Sequence, residues 1–160
     1  TQRRRQRQMC IRDRLKLLPI LFFAAVNISQ ISIFEIDGIF SNGHINAIQR
    51  YVDENDLRES NLFVIQYNAS DTSENSVTEL QELLKDIKTP KAIWVGPNET
   101  IVDAGLLKSF DYVGISPGTT IINKLSNNEF EFLDQEGIYE GYMVVGSIGA
   151  FIENLSLIHI

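Results

Sequence analysis

The sequence predicts an α/β fold built on a mainly parallel sheet. Short apolar, β-branched runs at Ile31–Ile36, Asn61–Tyr67, Lys91–Val95 and Tyr112–Ile115 alternate with segments whose apolar residues recur at helical spacing. That alternation implies repeated βαβ units. Within the second run, Leu62-Phe63-Val64-Ile65 is apolar without interruption, which suits a central strand covered on both faces. Several doubly wound folds share this pattern, so periodicity alone does not choose among them.

Ile31–Ile36 reads as a strand and Asp37-Gly38 as the turn that ends it. Ser41-Asn42-Gly43 offers caps for a helix over 44–55, in which Ile45, Ile48 and Val52 share a face. The second strand, 61–67, runs into the polar stretch 68–76, which reads as a loop. A helix over 77–87 aligns Leu80, Leu83, Leu84 and Ile87, and Thr89-Pro90 stops it. The third strand, 91–95, contains Trp94, read as core, and ends at Gly96-Pro97. A short helix over 102–109 and a strand over 112–115 follow. Pro117-Gly118 then marks a tight turn, 123–129 a polar loop, 134–140 a helix, 142–145 a strand and 148–153 the start of a last helix.

Both ends of the chain read as foreign to this pattern. Met9-Cys10-Ile11-Arg12-Asp13 can be written ATG-TGT-ATA-AGA-GAC. The reverse complement of the longer element that contains it, AGATGTGTATAAGAGACAG, encodes Leu155-Ser156-Leu157-Ile158-His159-Ile160. The element matches a transposase end used in sequencing libraries, so 1–14 and 155–160 are expected to be translated adapter, the first of them disordered. Residues 15–30 then begin the native part: Lys16 precedes an apolar run of signal-peptide length, too short to span a bilayer. Residues 31–154 form the expected single domain.

Composition narrows function. The chain carries 14 basic and 21 acidic residues, a net charge of −7. Six of the basic and one of the acidic residues lie in 1–14, so the rest holds 8 against 20, a net charge of −12. Such a surface repels phosphate backbones and argues against nucleic-acid partners. The single cysteine, Cys10, lies in the adapter segment, which leaves no thiolate catalysis, disulfide or cysteine-based zinc site. Glu129, Glu131, Asp134 and Glu136 read as a solvated acidic face rather than a cation site, so no metal and no cofactor is expected.

The motifs, taken in order, resemble the NfeD-like, ClpP-class membrane serine proteases. Ile33-Phe34-Glu35-Ile36-Asp37-Gly38 is similar to that family's opening strand. Thr89-Pro90-Lys91-Ala92-Ile93-Trp94-Val95-Gly96-Pro97 is similar to its third, and Asp111-Tyr112-Val113-Gly114-Ile115-Ser116-Pro117-Gly118-Thr119-Thr120-Ile121 to its Pro-Gly-Thr segment. Gly137-Ile138-Tyr139-Glu140-Gly141-Tyr142 resembles the step into its last strand. The resemblance spans 31–153 and implies a ClpP/crotonase-like fold. It also implies an exported, extracytoplasmic or membrane-associated bacterial protein, whose partners would be its own copies and envelope membrane proteins.

The departures from the family pattern bear on activity. Where the family carries its nucleophile in a Ser-Ala-Gly step, this chain has Asp103-Ala104-Gly105. The glycine-rich loop that would form the oxyanion-side groove is replaced by Asn68-Ala69-Ser70, with Gly96-Pro97 facing it at the end of the third strand. Lys124 is the one lysine in the region where the family places its base. Asp103 reads as a helix N-terminal carboxylate, and Lys108 and Lys124 as solvated. A Ser70/Asp71/His44 set lacks the context of any nucleophile elbow. The expectation is therefore a non-catalytic, pseudo-protease domain acting in interaction or assembly. The alternatives are an active Ser/Thr-Lys peptidase using Thr100 or Ser109 with Lys124, and a crotonase-type acyl-CoA enzyme, which the −12 charge disfavours.

Overall fold

β-branched and aromatic residues lead the chain into a strand as soon as its described part begins. The computed structural model describes residues 30–55, 57, 60–72, 74–98, 100–123, 129–132, 137–139 and 141–157. β1 (Ile31–Phe40), β2 (Leu62–Thr72), β3 (Lys91–Val95), β5 (Tyr112–Ile115) and β9 (Tyr142–Val144) pair in parallel, in that spatial order. β8 (Gly137–Tyr139) closes the six-stranded sheet, antiparallel to β9. A smaller sheet sets β4 (Ile101–Asp103) parallel to β6 (Thr120–Asn123), and β6 antiparallel to β7 (Glu129–Phe132). The α/β class and the mainly parallel sheet are thus as the sequence predicts.

Helices cover the two faces of the large sheet unequally. α1 (Asn42–Glu54) and α2 (Glu74–Asp86) lie on one face. Ile45, Ile48, Leu80 and Leu84 bury there with Phe63, Ile65, Tyr67, Ile93 and Val95. The other face receives α4 (Ile148–Leu157), whose Phe151 and Leu155 pack with Leu62, Val64, Ala92 and Trp94. Trp94 is 2% exposed and donates its indole N–H to the Val145 carbonyl at 3.2 Å, satisfying the one polar atom of a large core ring. Gly114 lets Phe151 reach the sheet: a Cβ on it would lie 2.5 Å from the ring.

Several boundaries differ from the sequence reading, each for a local reason. Asp37-Gly38 does not end β1. Gly38 takes φ 76°, the register slips after it, and the strand runs on to Phe40 as a bulged edge. Asn68-Ala69-Ser70 is not loop but the continuation of β2, paired with β1 at Asn68↔Asp37 and Ala69↔Gly38. β1 extends beside this polar stretch, which composition alone assigns to a turn. The helix expected over 102–109 is split into β4 and the four-residue α3 (Ala104–Leu107). Ser41 stands at the α1 N-cap, yet its side chain makes no capping bond. Gly137–Tyr139, expected to be helical, is strand β8. α4 continues to Leu157, and Leu155, one turn beyond Phe151, is 2% exposed. Residues 1–29, and with them the expected adapter and leader segments before β1, lie outside the described residues.

Candidate functional site

In parallel α/β sheets, ligands gather at the carboxyl ends of the strands, where the connecting loops diverge. At that edge stand Asp37 of β1, Asn68 of β2, Gly96-Pro97-Asn98 after β3 and Ser116–Thr119 after β5. Asn68 donates its amide to the Asp37 carboxylate at 2.8 Å and accepts one from Asn98 at 3.1 Å. One turn of the pleat back, Gln66 donates to Glu35 at 3.1 Å. These pairs make a polar ladder on the face that α4 leaves open. The sequence reading gave Asp37 only a turn role and did not single out Asn98, although Asp37 directly follows one apolar run and Asn98 lies three residues beyond the end of another.

Backbone geometry holds this edge closed. The Gly96 N–H donates to the Tyr67 carbonyl at 2.9 Å, and the Ser116 N–H to Val95 at 2.7 Å. Gly96 takes φ 157°, and a Cβ there would lie 2.8 Å from Ser116 and 2.9 Å from Trp94. Only glycine fits that gap. The Gly96–Pro97 peptide bond is cis. Gly118, at φ 87°, turns the chain after β5, with Thr119 N–H bonded to Ser116 C=O at 3.2 Å, so the predicted Pro117-Gly118 turn is present.

Of the hydroxyls singled out from the sequence, that of Thr100 is engaged elsewhere. Thr100 is 2% exposed and its Oγ1 donates to the Asn98 carbonyl at 3.1 Å. Ser109 is half-buried in the turn after α3, its N–H on the Leu106 carbonyl at 3.0 Å. Ser116 and Thr119 bury their hydroxyls against each other at 3.1 Å. Among the described residues, none of these four shares a hydrogen bond with a lysine amine or an imidazole. Lys91 lies at the opposite end of β3, its amine on the Ile87 carbonyl at 3.0 Å. Lys108 is exposed, and Lys124 lies outside the described residues.

Asp103 occupies the N-cap of α3. Its Oδ1 accepts from Gly105 N–H at 2.7 Å and Leu106 N–H at 3.3 Å, so the carboxylate neutralises two amides that a helix start leaves without partners. Gly105 leaves room for this cap, because a Cβ there would meet that oxygen at 2.6 Å. Ala104 packs at the margin of the core, and the Gly105 carbonyl accepts from Gln81 at 2.9 Å. Of the groove residues, Ala69 is buried at 2%, Asn68 half-buried, and Ser70 and Pro97 exposed. His44, on α1, lies against Phe40, with ring centroids 5.9 Å apart. Among the described residues no cluster of His, Cys, Asp and Glu is placed to hold a metal, and no helix is long and apolar enough to cross a membrane. A cleft of about 750 Å³ lies at the opposite end of the sheet, lined by Val52, Asp53, Asp86, Ile87 and neighbours.

No family profile matches the sequence, and no curated protein matches it. Solved structures do match the fold. A serine-to-alanine variant of the 1510-N membrane-bound stomatin-specific protease aligns over 67% of this chain and 56% of its own, at 15% identity and a TM-score of 0.51. A lysine-to-alanine variant of that protease in complex with a substrate peptide aligns over 82% and 58%, at 13% identity and a TM-score of 0.52. The 1510-N membrane protease specific for a stomatin homolog from Pyrococcus horikoshii aligns over 62% and 51%, at 15% identity and a TM-score of 0.52. This chain therefore spans between half and three-fifths of the length of those structures, and it shares their ClpP-like α/β fold.

Proposed function

We propose that this chain is a non-catalytic ClpP-like domain of an exported, membrane-associated protein, and that it acts in interaction or assembly. The observation that carries the reading is Asp103. The resemblance sets a nucleophilic serine at this step, whereas here a carboxylate bonds both Gly105 and Leu106 N–H groups as a helix cap. With Oδ1 bonded to two amides the carboxylate serves as a helix cap, and the step carries no hydroxyl to act as a serine-type nucleophile. The segment Asn68-Ala69-Ser70 adds support. It continues β2 beside β1, in place of the glycine-rich loop whose amides the resemblance would aim at a reacting oxygen.

The test is fluorophosphonate labelling of the full, folded chain, run with a peptide-cleavage assay and a Lys124→Ala control. No labelling and no cleavage is the expected result. Stoichiometric labelling at Thr100 or Ser109 that is lost in the Lys124→Ala variant would overturn the reading and establish a displaced Ser/Thr-Lys peptidase. By analogy with the fold, self-association and contact with envelope membrane proteins are the interactions to look for first.

A further inference from the structure

β1 is the outer strand of the six-stranded sheet, and among the described residues no strand pairs with its far side. Which of its backbone groups face outward follows from the ladder. Phe63 N–H bonds Pro90, and Tyr67 C=O accepts from Gly96, so the odd-numbered residues of β2 point towards β3 and its even-numbered ones towards β1. With Ile33 opposite Val64 and Glu35 opposite Gln66, the bonds from β2 fall on Ser32, Phe34 and Ile36. The N–H and C=O groups of Ile31, Ile33 and Glu35 are left directed at the free edge.

The side chains beside that edge have a definite character. On the open face, Ile33 is 45% exposed, and the carboxylates of Glu35 and Asp37 are exposed. On the other face, Phe34 packs edge-on to Tyr51 at 5.7 Å and presents a half-buried apolar surface. We propose that the β1 edge binds an extended segment of a partner protein, one that alternates basic and apolar residues. The added strand would bond Ile31, Ile33 and Glu35, set lysine or arginine against Glu35 and Asp37, and lay its apolar residues beside Phe34. Charge selects this occupant over a second copy of the chain. Two β1 strands would bring Glu35 and Asp37 of each into one acidic patch, in a protein already at −7.

The experiment uses the full chain and a fluorescent peptide of alternating lysine and valine, followed by fluorescence anisotropy and by hydrogen exchange of the backbone amides. A glutamate–valine peptide is the control. Saturable binding of the lysine peptide, with slowed exchange at Ile31, Ile33 and Glu35, is expected. Ile33→Pro removes an outward N–H without touching the β1–β2 ladder and should abolish binding in a chain that still unfolds cooperatively. Glu35→Lys should weaken it about tenfold. The proposal is overturned if the lysine peptide binds no better than the glutamate peptide or not at all. It is also overturned if both variants bind normally, or if β1 instead mediates a dimer that Ile33→Pro disperses. None of these readings depends on whether the domain is catalytic.

Discussion

Replacing Gly105 by alanine should destabilise the chain only while Asp103 is present. The new Cβ would stand 2.6 Å from the Asp103 Oδ1, so the carboxylate must swing away and give up its bonds of 2.7 and 3.3 Å to Gly105 and Leu106. Loss of an N-cap costs about 1 kcal/mol. Alanine in place of glycine in a helix returns about 0.5 kcal/mol or more, discounted here because α3 has only four residues. Gly105→Ala should therefore cost about 0.5 kcal/mol in the parent chain, yet stabilise by a similar amount in the Asp103→Ala background. The coupling between the two sites is about 1 kcal/mol. Urea unfolding of the four chains measures it, and on heating 1 kcal/mol corresponds to about 3 °C in Tm for a domain of this size. Asp103→Asn, which retains a capping oxygen, should stay close to the parent. Additive effects, or an Asp103→Ala variant as stable as the parent, would refute the capping role and reopen Asp103 to a chemical one.

Two further substitutions probe packing elsewhere around the large sheet. Gly114→Ala drives a methyl group to 2.5 Å from the Phe151 ring and should cost about 1–3 kcal/mol in urea unfolding, with a change in the near-ultraviolet signal of Trp94. An unperturbed Gly114→Ala variant would mean that α4 is not seated on the sheet through Phe151. Thr89→Val removes a buried donor, 8% exposed, that bonds the Leu57 carbonyl at 2.8 Å. It should cost about 1–3 kcal/mol, and a neutral result would mean that the Leu57 carbonyl finds another donor.

The sequence by itself determined the class of fold and the strands that make its core. Periodicity is a local property, and Leu62–Ile65, Ala92–Val95 and the Leu80/Leu84 face display it without reference to any partner. The order of the motifs pointed to a ClpP-like arrangement, and Asp103 stood out as the wrong residue for a nucleophile. Tertiary structure decided what pairing and packing control. Asn68-Ala69-Ser70 has loop composition but lies in β2, because β1 extends beside it past the Gly38 bulge. The Asp37–Asn68–Asn98 ladder joins residues about thirty positions apart, a proximity that spacing along the chain does not encode. Thr100 reads as an available hydroxyl until the fold buries it and turns it onto the Asn98 carbonyl. Among the described residues, the outer side of β1 carries no partner strand because the sheet order places β1 outermost.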